Sequence, residues 1–168
     1  MEYKQYKNLT EPFIELLCGI SNSGKSTYVK DQFPNGFNGL VLSRDSLVLE
    51  YGTGSTYNEC WISLTKDLHK QIDDKLHIQY KKALDNNKNI IVDMTNLTKD
   101  RRNLWLKHLP DKYIKNIRLF TTSLDVIKKR NMAQAENKFI PENVLDDMSK
   151  RFQSPELNEF NELIIENT

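Results

Sequence analysis

Residues 19–26 read Gly-Ile-Ser-Asn-Ser-Gly-Lys-Ser. This is the spacing G-x-x-x-x-G-K-[ST] of a phosphate-binding P-loop. The apolar run Phe13-Ile14-Glu15-Leu16-Leu17-Cys18 precedes it, and Thr27-Tyr28-Val29-Lys30 follows. The pattern predicts a strand over 13–18, a glycine-bearing turn and then a helix. Glycine lets the backbone curl around an anion with no Cβ in the way. The turn's N–H groups and the helix N-terminus then face that anion. Gly19, Ser21, Asn22, Ser23, Gly24, Lys25, Ser26 and Thr27 are therefore the expected cradle. Lys25 is the residue to reach the β- and γ-phosphates of a nucleotide, and the Ser26 hydroxyl the one to hold Mg²⁺.

The remaining elements follow from periodicity and punctuation. The first helix ends near Gln32, ahead of Pro34-Asn35-Gly36. Residues 39–43 read as a second strand, apolar enough for a sheet covered on both faces, and it stops at Arg44-Asp45-Ser46. Residues 51–55 read as a loop. Trp61, Leu64, Leu68, Ile72, Leu76, Tyr80 and Leu84 recur at three and four, which predicts one long helix over about 58–86. His69 and His77 lie off that stripe and read as exposed bystanders. A third strand covers 89–93, and Thr98 N-caps a helix ending near Pro110. A fourth strand covers 114–121, and Ser123 caps the next helix. Pro141 opens a further helix at its first turn, and 160–165 reads as a fifth strand. Strands alternating with helices predict an α/β, three-layer α/β/α sandwich with a mostly parallel sheet of about five strands.

Composition narrows the partners. The chain has 168 residues, a length suited to one domain, with 24 Lys+Arg against 23 Asp+Glu. Such a balance does not mark a bulk nucleic-acid binder. Residues 1–12 read as a polar N-terminal extension. Cys18 and Cys60 are the two cysteines, and no Cys/His cluster has zinc spacing. With no signal peptide and no long apolar run, the expected setting is the cytoplasm, the host's if the chain is viral, with no membrane partner.

In parallel sheets the site lies beyond the carboxyl ends of the strands. Arg44 and Asp45 follow strand two, which is expected beside the P-loop strand, and Asp93, Thr95 and Asn96 follow strand three. Phosphoryl transfer needs a carboxylate to orient an acceptor hydroxyl and take its proton. Asp45 is the candidate, and a helix N-cap is its alternative role. Arg44 is a candidate phosphate or carboxylate clamp. Asp93 is a candidate for placing Mg²⁺, with a strand-end turn as its alternative. Thr95 and Asn96 either tie strand three to the P-loop or touch substrate. Lys128, Lys129 and above all Arg130 could place positive charge over the γ-phosphate, on a lid spanning about 124–141.

These segments resemble the phage-type polynucleotide 5′-kinases and the wider set of small zeta-toxin-like P-loop kinases. The resemblance is carried by residues 19–27, Ser43-Arg44-Asp45, Val92-Asp93-Met94-Thr95-Asn96-Leu97, Arg101-Arg102, Lys129-Arg130-Asn131 and Ile140-Pro141, then Met148 and Phe152. It covers about 14–165 and implies a single P-loop kinase domain over 1–168. It also implies ATP as donor, Asp45 as base, and the 5′-OH end of DNA or RNA as acceptor, in nucleic acid repair. Two positions depart from the family pattern. Val48 stands where an arginine usually grips the acceptor-side phosphate, and Gln134 where the lid's second arginine belongs. Lys138 or Lys129 could compensate for the second. Two other readings fit the same residues: a kinase of a nucleoside, another small molecule or a hydroxymethylated base in DNA, and a nucleotide-binding regulatory module without transfer.

Overall fold

The structure, a computed structural model, describes residues 11–167. All but the end of the predicted N-terminal extension lies outside them. The strands are β1 (Phe13–Cys18), β2 (Leu40–Ser43), β3 (Ile90–Asp93), β4 (Ile114–Phe120) and β5 (Glu162–Glu166). The helices are α1 (Lys25–Gln32), α2 (Arg44–Tyr51), α3 (Tyr57–Ser63), α4 (Lys66–Asp85), α5 (Lys99–Leu106), α6 (Leu124–Ala133) and α7 (Glu142–Arg151). The sheet order is β2-β3-β1-β4-β5, and every pairing is parallel. This is the expected α/β architecture, with all strand carboxyl ends on one edge. The chain departs from β1 in both directions across the sheet, and ligands bind at such a switch point.

Central placement explains the composition of β1, which is buried throughout. One face of it, Ile14, Leu16 and Cys18, packs with Leu47 and Val48 of α2, Ile72, Leu76 and Tyr80 of α4, and Trp105 of α5. The other, Phe13 and Leu17, packs with Tyr28, Val29 and Phe33 of the α1 segment. Glu15 is the exception in this run. Burial pushes its carboxyl up, and Arg118 opposes the shift by donating from Nε at 2.6 Å.

Three expectations are corrected. The helix over 58–86 is two helices, broken at Leu64-Thr65. Thr56 and Glu59 form a reciprocal capping box that starts α3 one residue earlier, and the Thr65 side chain caps α4. Asp45 is not an N-cap: Ser43 accepts from the Ser46 N–H, which puts Asp45 in the first turn of α2. There its charge also suits the positive end of the helix dipole. Finally, β2 is not beside β1, because β3 lies between them.

Candidate active site

The P-loop turn depends on left-handed backbone. Gly24, the N-cap of α1, has φ 103°, and Asn22 has φ 66°. Gly19 is required for close approach, since a Cβ there would lie 2.7 Å from Ser23 Oγ. Lys25 is buried, and its Nζ donates to the carbonyls of Gly19 (2.9 Å) and Ile20 (2.7 Å). Burial lowers its pKa to about 8, against the pull of Asp93. Ser26 Oγ donates to Asp93 Oδ2 at 2.7 Å. Burial pushes the Asp93 carboxyl up, and Ser26 and Lys25 hold it down. A hydroxyl beside a carboxylate is the hard-oxygen donor set that suits Mg²⁺, completed by phosphate and water rather than by a protein cage. No group of three or more His, Cys, Asp or Glu that could hold a metal ion occurs among the described residues.

Neighbouring strands buttress this turn. The Gly19 N–H donates to the Thr95 carbonyl at 3.0 Å. Asn96 is buried, and its Nδ2 donates to the carbonyls of Leu17 (2.9 Å) and Val92 (3.3 Å). Of the two roles the sequence leaves open for Thr95 and Asn96, these bonds have the geometry of ties. Two residues past β4, Thr122 Oγ1 donates to the Ser23 carbonyl at 2.9 Å. Arg102 is fully buried, forks onto Glu159 at 2.7 and 2.9 Å, and also donates to the Asn96 carbonyl at 3.2 Å.

Asp45 lines the same cleft as Lys25 and Ser26. Its Oδ1 accepts from the Tyr57 hydroxyl at 2.8 Å, and its Oδ2 from Lys138 Nζ. The Lys138 ammonium also lies 4.3 Å from the centre of the Tyr57 ring, within cation–π range. Arg44 reaches Asp73 Oδ1 and His69 Nδ1, each at 3.3 Å. His69 is therefore half-buried and engaged, not an exposed bystander, while exposed His77 stacks on Trp105.

The segment after α6 joins the two sides. Arg130 Nη1 lies 3.4 Å from the Asn22 carbonyl that accepts from it. Gln134, standing where an arginine was expected, donates from Nε2 to Asn22 Oδ1 at 2.5 Å. Asn131 accepts from Asn22 Nδ2 at 3.1 Å and brackets Ile140 through its N–H and carbonyl. Asn137 accepts from the Tyr57 N–H and Asn58 N–H at 3.1 Å. Lys128 faces Glu142 and Asp146 of α7 instead, and Lys129 is exposed. Val48 is wholly buried in the core, so position 48 contributes nothing to the cleft.

A family model described as an AAA domain matches residues 14–155. The chain belongs to that family, as a P-loop kinase-type member. Among solved structures, this P-loop kinase-family chain is similar to a chain of the Pnkp1/Rnl/Hen1 RNA repair complex. That match has a TM-score of 0.70 and 20% identity, over 87% of this chain and 45% of that one. The chain thus spans under half the length of that relative. A sugar kinase from Janibacter sp. HTCC2649 has a TM-score of 0.60 and 18% identity, over 93% of this chain and 85% of its own. A gluconokinase from Sinorhizobium meliloti 1021 has a TM-score of 0.56 and 16% identity, over 93% and 82%. At these identities the likeness is one of fold. No curated protein matches the sequence significantly. No helix among the described residues is long and apolar enough to cross a membrane.

Tyr57 and Asn137 of this P-loop kinase-family chain escape a sequence reading, Trp61 enters it only as part of the apolar stripe although it is exposed, and Lys138 only as a substitute γ-phosphate contact. The signal for α3 was present in Thr56-x-x-Glu59, the capping-box spacing, which fixes where Tyr57 and Trp61 project.

Proposed function

We propose that this chain is an ATP-dependent kinase that transfers the γ-phosphate to the 5′-OH end of DNA or RNA, acting in nucleic acid repair of phage type. The observation that carries the reading is Asp45, a carboxylate in the first turn of α2 that opens onto the same cleft as Lys25. Nucleotide binding alone needs no such group. The acceptor oxygen attacks the γ-phosphorus, the bond to the β,γ-bridging oxygen breaks, and ADP leaves. The acceptor's proton passes to Asp45. Lys25 places charge at the β- and γ-phosphates. Arg130, close to Asn22, adds charge from a lid spanning about 124–141 of this one domain. Ser26 and Asp93 would hold Mg²⁺, which when bound neutralises phosphate charge. Arg44, Asp93, Thr95 and Asn96 shape the acceptor side, the last two through the backbone they fix. Lys138 must release Asp45 Oδ2 before that oxygen can take a proton.

The cleft measures about 1870 Å³ and is lined by the P-loop and Asp45 alike, so it has room for a nucleotide and an acceptor side by side. The similarity to a chain of an RNA repair complex agrees with this reading. One observation favours a small-molecule acceptor instead: Val48 is buried, so no arginine at that position grips an acceptor phosphate.

Labelled ATP supplied with 5′-OH DNA and RNA oligonucleotides, free nucleosides, sugars or no acceptor separates the readings. Label on oligonucleotides is expected. Label on nucleosides or sugars alone, or nucleotide binding with no labelled product, overturns the proposal.

A further inference from the structure

Trp61 is 44% exposed although three groups already touch it. It lies one helical turn beyond Tyr57 on α3, so the two share a face. Their rings stack with centroids 6.2 Å apart at 24°. The His69 ring meets the indole edge-on at 5.2 Å, and the Arg44 guanidinium lies 5.6 Å from its centre. Tyr57, Trp61 and Arg44 line the cleft, and the ladder begins at Asp45, which the Tyr57 hydroxyl touches. Arg44 adds a second observation. Its Nη2 holds His69 and Asp73, but its buried Nη1 has no hydrogen-bond partner. A donor left unsatisfied in a protein interior is rare and calls for an explanation.

The geometry points to an acceptor subsite in which the first base of the acceptor stacks on Trp61 while Arg44 meets its backbone. This rests on the nucleic-acid reading above and names what that reading leaves open. The subsite takes the place of the absent arginine at position 48, gripping the base where the expected pattern grips a phosphate. A flat π-face beside guanidinium and ammonium groups matches a nucleotide in both shape and charge. A sugar ring could also lie on an indole. The unsatisfied Arg44 Nη1 beside the indole favours a phosphate-bearing ligand over it.

The test uses the wild type, Trp61→Ala and Trp61→Phe with two substrates: a 5′-OH oligonucleotide, and the same oligonucleotide lacking its first base. Base–aromatic stacking of ordinary strength corresponds to roughly a 10-fold change in KM. Removing the base is expected to raise the wild-type KM about 10-fold, with the effect in KM rather than kcat. Trp61→Ala is expected to raise KM to the same degree on the intact oligonucleotide and to add nothing on the abasic one. Trp61→Phe should recover most of the loss. If the two losses multiply, or neither occurs, the subsite is overturned.

Fluorescence supplies a readout independent of transfer. The chain has two tryptophans, Trp61 and the buried Trp105. Quenching by the oligonucleotide that disappears in Trp61→Phe therefore reports Trp61. Base-dependent quenching without label transfer upholds the subsite and overturns the kinase reading. Transfer indifferent to the first base does the reverse. Quenching by a sugar but not by an oligonucleotide overturns the subsite, as does the absence of both quenching and transfer.

Discussion

The Tyr57 hydroxyl donates to Asp45 Oδ1 at 2.8 Å, while Lys138 occupies the other carboxylate oxygen. The residue proposed as base is therefore held on both oxygens, by a side chain of the next helix and by one from 93 residues away. Asp45→Asn is expected to cut turnover by ~10²–10⁴ with nucleotide binding preserved. Tyr57→Phe removes one orienting bond of ordinary strength and should lower kcat roughly 5-fold. Single-turnover rates with saturating nucleotide check both. Full activity in Asp45→Asn would leave Asp45 as only a residue of the first helical turn.

Lys25→Ala should lower turnover by about 10²–10³, because its ammonium lies inside the turn, on the Gly19 and Ile20 carbonyls. Equilibrium nucleotide binding measured beside turnover shows whether the loss lies in affinity or in the chemical step. Unchanged turnover would take the P-loop out of the mechanism.

Ser26→Ala and Asp93→Asn break the 2.7 Å pair between hydroxyl and carboxylate. Each is expected to raise the Mg²⁺ concentration for half-maximal rate by roughly 10-fold or more. Titrating the metal against rate tests this, and a half-maximal point that stays put contradicts it.

How much of this was legible in the sequence depended on how local its cause was. The P-loop was, because glycine spacing and a strand–turn–helix context fix it within a dozen residues. The capping residues Thr98 and Ser123 were readable for the same reason. Strand order was not: placing β3 between β1 and β2 is a matter of tertiary packing that no local pattern carries. Arg102 stands beside Arg101 in a pair the resemblance marks, but nothing local tells which of the two is buried until the fold brings Glu159 to it from 57 residues away. Lys138 likewise meets Asp45 only because Asn131 and Asn137 pin the linker that carries it.

The Arg102–Glu159 pair yields a stability prediction. Burial works to raise the Glu159 carboxyl, but hydrogen bonds from Arg102 hold it below its usual value. A depressed carboxyl stabilises the fold above the ordinary glutamate range, and this contribution is lost as pH falls through the native value. Glu159→Gln leaves the buried guanidinium uncompensated and should cost about 3–5 kcal/mol near neutrality. In acid the gap to wild type should narrow. Urea midpoints at pH 7 and pH 3.5 measure it, and a gap that widens in acid contradicts the assignment.

Because β3 intervenes, the helix starts carrying Lys25 and Asp45 follow strands about 10 Å apart, two steps of roughly 4.8 Å. The sheet thus acts as a ruler for the reaction, with a span set by backbone hydrogen bonds that side-chain substitution barely alters. Within that span, α3 and the 134–141 linker set only the aim of the Asp45 carboxylate, through Tyr57 and Lys138.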